Sequence, residues 1–272
     1  MRTEAVSVAG GSKPNEDSYV VAPGLVIVVD GATARTDTGC CHGVKWYSEN
    51  LGAEMAQRLI SGLNLRHALS SSISAVADSH RETCDLTHPG TPSAAIGAVH
   101  VKEDYLEWIL LGDVTIVIDG DSSLTIVTDQ HDHVARMEQE EADRYPIGNP
   151  KKNAAMVRMK HVELAARNVV GGFWIACTDP SAADHAKTGK IPLQEVSQVL
   201  AMSDGAARLA VDFHLMSWQD MVDTASRDGV GELTHQVRKA ENSDPVGNQW
   251  PRNKKSDDAT VVLASFSESF RN

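Results

Sequence analysis

The sequence predicts an α+β fold in which two stacked antiparallel β-sheets are flanked by helices, and three observations predict it. Short β-rich runs recur through the first half, at 18–21, 25–29, 94–101, 106–111, 114–118 and 124–127. Several of the gaps between them are too short for the crossover helix that parallel neighbours require, so those runs pair antiparallel. Several also carry apolar residues on both sides of the pleat, which calls for sheets covered on both faces.

Taken in order, 18–21 opens the strand set and 25–29, LVIVV, is apolar throughout. Two helical segments follow. Val44, Tyr47, Leu51, Met55 and Leu59 share a helical face within 42–61, and Leu65, Leu69, Ile73 and Val76 do so within 65–80, which makes a helical hairpin. The runs 106–111 and 114–118 read as a β-hairpin across Gly112-Asp113, and 114–118 pairs with 124–127 across Asp119-Gly120-Asp121. Further helices are expected at 133–144, 193–199 and 205–226, with strands at 173–177 and 259–266. Lys151 and Lys152, just after Pro150, read as a solvated loop. Trp46, Trp108 and Trp174 lie within apolar periodic runs and read as core. With no repeat and no low-complexity linker, one domain over 1–272 is expected, 265–272 being a short tail.

Composition narrows the function. The 272 residues hold 37 acidic and 25 basic side chains, a formal net charge of −12, with 42% apolar residues. That balance disfavours nucleic acid or an anionic membrane as partner, because no Lys/Arg stripe offsets the repulsion. Four cysteines, Cys40, Cys41, Cys84 and Cys177, form no disulfide framework, and no stretch approaches the ~18 apolar residues of a membrane span. The opening residues show no secretory pattern, so a cytoplasmic location is expected. Cys40-Cys41-His42 reads as a helix-start turn, since no second Cys/His pair has ligand spacing.

Carboxylates interrupt the apolar strands. LVIVV runs into Asp30-Gly31; Asn15-Glu16-Asp17 precedes an extended run; Leu110-Leu111-Gly112-Asp113 and Leu200-Ala201-Met202-Ser203-Asp204-Gly205 end strands; Ser256-Asp257-Asp258 opens the last. Were these strand ends to converge, each like-charge pair about 4 Å apart would cost roughly 4 kcal/mol at an effective dielectric near 20. Protons or cations must then neutralise the cluster, and oxygen-only ligands select hard ions such as Mg²⁺ or Mn²⁺.

The ordered set Asn15-Glu16-Asp17, Val29-Asp30-Gly31, Gly90-Thr91-Pro92-Ser93-Ala94, Gly112-Asp113, Ser203-Asp204-Gly205 and Asp257-Asp258-Ala259-Thr260-Val261 resembles the metal-dependent protein phosphatase family known as PP2C or PPM, over roughly residues 6 to 265. The resemblance implies an αββα sandwich with a centre of two, or with a weaker site three, Mn²⁺ or Mg²⁺ ions. It implies that Asp30 bridges two ions, that Glu16 and the Gly31 carbonyl complete one site, and that Asp204 and Asp257 hold the other. Asp17 would act through water, Asp113 would join Asp204 at the third ion, and Asp258 would support the centre from behind. The implied activity is hydrolysis of a phosphate monoester.

The sequence also departs from that pattern. Ser12 occupies the position of an Arg that grips the substrate phosphate, leaving Lys13 and Arg35 as candidate replacements, and Ala32 stands where some members place a His. Three readings remain open: a phosphoserine/phosphothreonine protein phosphatase, a phosphatase acting on a phosphorylated small molecule, and a metal-binding regulatory module with little turnover. Nothing in the sequence specifies an oligomeric state.

Overall fold

A computed structural model describes residues 1–120, 123–129 and 134–267. Asp121, His133 and most of the expected tail lie outside the described residues. One five-stranded sheet runs in the order β1 (Arg2–Val8), β10 (Ala259–Ser265), β9 (Val196–Met202), β6 (Thr115–Gly120), β7 (Leu124–Val127). The other runs β2 (Ser18–Ala22), β3 (Leu25–Gly31), β4 (Ala94–Val101), β5 (Tyr105–Leu111), β8 (Lys187–Pro192). All strand pairs within these sheets are antiparallel.

The two-residue period of a strand sorts the side chains into layers. Val26 and Val28 of β3, Val99 of β4, Ile116 and Ile118 of β6, Val199 of β9 and Val262 of β10 meet between the sheets. Leu25, Ile27 and Val29 face the opposite way and pack on Tyr47, Leu51, Met55, Leu69 and Ile73 of the helices α1 (Gly43–Ile60) and α2 (Leu65–His80). The other sheet turns Leu200, Met202, Val261 and Leu263 outward onto α6 (Trp218–Asp228) and α7 (Val230–Ser243). Asp30 shares the parity of Val26 and Val28, so the alternation itself carries its carboxylate toward the space between the sheets.

Several elements differ from expectation. β5 and β6 do not form a hairpin: they belong to different sheets, and Gly112-Asp113 is the corner between them. A short gap excludes a parallel crossover but not a change of sheet. Gly112 holds φ +88°, and a Cβ there would lie 2.6 Å from the Ala95 Cβ, so the corner needs glycine. The run 173–177 makes only isolated bridges, Phe173 to Arg167 and Ala176 to Ala94. Residues 193–199 are a 3-10 turn (Leu193–Glu195) running into β9 rather than a helix. The stretch 205–226 is split into α5 (Asp204–Ala207) and α6, because Ser217 and Asp220 cap α6 reciprocally and stop any helix from running through.

Lys151 and Lys152 lie on a 17-residue helix, α4 (Pro150–Ala166), not a loop. Asn149 caps it by accepting from the Lys151 N–H, and Pro150 fits its first turn. Lys152 is buried, its Nζ donating to the Ala142 carbonyl at 3.0 Å and standing 3.6 Å from Asp143 on α3 (Arg136–Asp143). Its weak apolar periodicity has a simple cause: the buried apolar contact between α3 and α4 is a small patch of Ala142, Ala155 and Met156.

Candidate active site

At one end of the sandwich a cleft of about 650 Å³ is floored by Asp30, Gly31, Asp113, Asp204 and Asp257 and walled by α3 and α4. Asp30 and Gly31 end β3, Asp113 stands at the sheet-to-sheet corner, Asp204 follows β9 and Asp257 precedes β10. Asp204 starts α5, and its backbone N–H donates to Asp30 Oδ2 at 3.0 Å, joining the two sheets directly. Gly205 lets α5 lie against the start of β10, since a Cβ there would lie 2.0 Å from the Asp258 carbonyl oxygen.

Glu16 and Asp17 stand behind this floor. A Cβ on Gly31 would meet the Glu16 carbonyl oxygen at 2.5 Å, and Glu16 Oε2 accepts from the Thr33 hydroxyl at 2.8 Å. Asp258 fastens their loop, its two carboxylate oxygens accepting from the Gly10 and Glu16 N–H groups at 2.7 Å each. Asp17 is buried, and its Oδ2 has no hydrogen-bond partner among the described residues.

The electrostatics match a centre built for cations. Burial pushes Asp17 up to about 7 against the lowering pull of the Ser203 and Thr260 side chains, with the Asp258 and Asp257 charges adding to the rise. Burial and Asp257 raise Asp204 to about 8. Asp30 is driven well above the carboxylate range by burial and then by Asp204, Asp17, Asp113 and Asp257. For Asp257 burial also acts upward, but Arg208 and Lys254 outweigh it and hold the carboxyl below its ordinary value. Arg208 Nη2 lies 2.6 Å from Asp257 Oδ2, and Lys254 pairs with the other oxygen. An unpartnered buried oxygen, three carboxyls pushed upward and an all-oxygen donor set fit hard divalent ions.

Arg208 and Lys254 were not anticipated from sequence. Arg208 falls four residues after Asp204, one helical turn on, and that spacing is the signal that could have found it. Of the two cations proposed for the phosphate, Arg35 lines the cleft, whereas Lys13 is exposed and outside the lining. Lys160 of α4 and Arg167, just beyond its end, also line it.

The family model of protein phosphatase 2C matches residues 7–240. The chain belongs to the protein phosphatase 2C family. That membership makes it a metal-dependent phosphatase, with the two-sheet sandwich of the protein phosphatase 2C fold. Among solved structures it is similar to the Mycobacterium tuberculosis serine/threonine phosphatase PstP/Ppp, 17% identical over 98% of each chain with a TM-score of 0.60. Serine/threonine phosphatase Stp1 from Staphylococcus aureus is 14% identical over 97% of this chain and 94% of that one, TM-score 0.59. PppA from Pseudomonas aeruginosa is 16% identical over 97% of each, TM-score 0.58. No curated protein matches the chain in sequence. No helix among the described residues is long and apolar enough to cross a membrane.

Proposed function

We propose that the chain removes phosphate from phosphoserine and phosphothreonine on proteins, using two divalent ions, manganese or magnesium, with a weaker third site. The observation that carries this reading is the convergence of Asp30, Asp113, Asp204 and Asp257, from four separate segments, on the floor of one cleft in a protein phosphatase 2C family member. A structure of the PstP catalytic domain is described as a complex with two manganese ions, which supports the count.

In this reading Asp30, the Gly31 carbonyl and Glu16 would hold one ion, Asp30, Asp204 and Asp257 would hold the second, and Asp113 with Asp204 would hold the third. When bound, such ions lower the pKa of a water nucleophile and neutralise charge on the phosphoryl oxygens. Asp17 contributes through water from behind the floor. Arg208 and Lys254 keep Asp257 ionised and aimed at the cleft, and Asp258 holds the Glu16 loop in register. Arg35 lies on the segment leaving the floor and supplies the positive charge that Ser12 does not; a guanidinium can grip phosphoryl oxygens bidentately. α3 and α4 wall the cleft and limit which phosphoesters reach the floor.

The absence of Arg at position 12 favours the second reading, a phosphorylated small molecule as substrate. One comparison separates them: manganese-dependent kcat/KM on phosphoserine and phosphothreonine peptides beside a panel of phosphorylated metabolites. Higher values on the peptides support the proposal, higher values on a metabolite replace it with the second reading, and negligible rates on both return the chain to a regulatory module. Asp30→Asn is expected to lower kcat by about three orders of magnitude with the fold retained by circular dichroism. Arg35→Ala is expected to act mainly on KM, by about tenfold.

A further inference from the structure

Cys40-Cys41-His42 has a partner pair after all, and it comes from the other end of the helical hairpin. The ligand atoms of Cys40, His42, His80 and Cys84 all lie within 4.8 Å of one another. None of the four lines the catalytic cleft. We propose that these residues form a closed, tetrahedral Cys2His2 zinc site that clasps the start of α1 to the end of α2.

The distances carry the assignment. Bonds of about 2.3 Å to sulfur and 2.0–2.1 Å to nitrogen give a tetrahedron with S···N edges of about 3.6 Å and an S···S edge of about 3.8 Å. Cys40 Sγ stands 3.5 Å from His80 Nδ1 and 3.7 Å from His42 Nδ1, and His42 Nδ1 stands 3.3 Å from Cys84 Sγ. The Sγ atoms of Cys40 and Cys84, both free thiols, are 3.0 Å apart and need part by only about 0.8 Å to reach the tetrahedral edge.

The backbone brings these groups together before any ion does. The Asp85 N–H donates to the Gly39 carbonyl at 2.9 Å, which lays Cys40 beside Cys84. The Cys84 N–H donates to the His80 carbonyl at 3.0 Å, so those two ligands are one turn apart. Gly43, the first residue of α1, has φ +81° and turns the chain just after His42. His80 is only 1% exposed and packs at 5.0 Å from the Trp46 ring, while its Nε2 has no hydrogen-bond partner. The Nδ1 of this almost fully buried imidazole faces thiol sulfur, the placement expected of a ligand that binds metal through Nδ1. Two sulfurs and two imidazole nitrogens in tetrahedral array select zinc, and four protein ligands leave no open coordination position, so the role is structural. The clasp also anchors the far end of the 32–42 segment, which leaves the catalytic floor at Gly31 and carries Arg35.

The test is metal content and cobalt spectroscopy of the full chain, purified with a phosphine reductant. One zinc per chain, retained in Asp30→Asn and in Cys41→Ser but lost in Cys84→Ser and in His80→Ala, is the expected result. Wild-type protein reconstituted with cobalt(II) is expected to show thiolate-to-cobalt charge transfer with the intense visible bands of tetrahedral coordination, a readout that needs no variant to fold. Reduced protein without zinc, zinc that follows Asp30 rather than Cys84, or a cobalt spectrum lacking the thiolate band would overturn the assignment. These readouts are independent of phosphatase activity.

Discussion

Asp17, Asp30 and Asp204 share one electrostatic problem: each is desolvated beside other carboxyls, and without cations each retains protons that the unfolded chain would release. The sign of the consequence follows. A folded-state pKa raised from 3.8 to about 7 for Asp17, and to about 8 for Asp204, means the folded protein binds more protons across that window, so its stability falls as pH rises through it. Protein dialysed free of manganese and magnesium is therefore expected to lose thermal stability between pH 5 and pH 8. Manganese should reverse the trend at the upper end by binding the folded state alone. Asp204→Asn removes one of the raised carboxyls and should flatten the manganese-free profile while abolishing turnover. Melting temperatures of both proteins across that range check the idea; parallel profiles in the two would sink it.

At the scale of elements, the site depends on how closely α5 and the start of β10 can approach. Gly205 is the contact: a Cβ there would sit 2.0 Å from the Asp258 carbonyl oxygen and 3.0 Å from the Asp257 Cβ. Gly205→Ala is expected to push α5 away from β10, destabilise the protein by about 1–3 kcal/mol, and weaken manganese binding more than tenfold because Asp204 and Asp257 part. Calorimetric titration with manganese and a denaturant melt measure the two effects separately. On the other face, Tyr47 ties the helical hairpin to the 173–177 run that bridges to β4 at Ala94, its buried hydroxyl donating to the Cys177 carbonyl at 2.6 Å. Tyr47→Phe leaves that carbonyl without its partner and should cost about 1–3 kcal/mol in the same melt, with turnover unchanged.

For the whole molecule, the proposed catalytic centre is a joint between two sheets. Asp30 ends a strand of one; Asp204 and Asp257 flank strands of the other; Asp113 marks the corner where the chain passes between them. What holds those groups in register is the apolar layer between the sheets, including Val28, Ile116 and Val262, none of which touches the cleft floor's polar atoms in the role of a ligand. Ile116→Ala deletes buried volume at the centre of that layer and is expected to cost about 2–5 kcal/mol. Because the cavity loosens the sheets relative to each other, apparent manganese affinity should fall along with stability. A variant that loses stability yet binds manganese as tightly as wild type would show that the centre is held by its own hydrogen bonds instead.

The sequence by itself determined the strands β3, β5 and β10 at the cleft floor, the helical hairpin and the ordered carboxylates, because apolar runs and an acid placed directly beside a buried run are local properties of the chain, whereas most of β9 reads as helix from sequence alone. LVIVV followed by Asp30 already says which face the carboxylate continues, and the spacing of Leu65 to Val76 already says helix. Only the tertiary structure decided that Gly112-Asp113 is a corner between sheets rather than a hairpin turn, since a two-residue gap serves either. It alone revealed Arg208 and Lys254 on Asp257, Arg35 in the cleft, and a buried Lys152 on a helix whose sparse apolar contacts leave little periodicity to read. It alone brought His80 and Cys84 to Cys40 and His42. Those pairs come from opposite ends of two packed helices, and a meeting set by helix packing leaves no trace in local spacing.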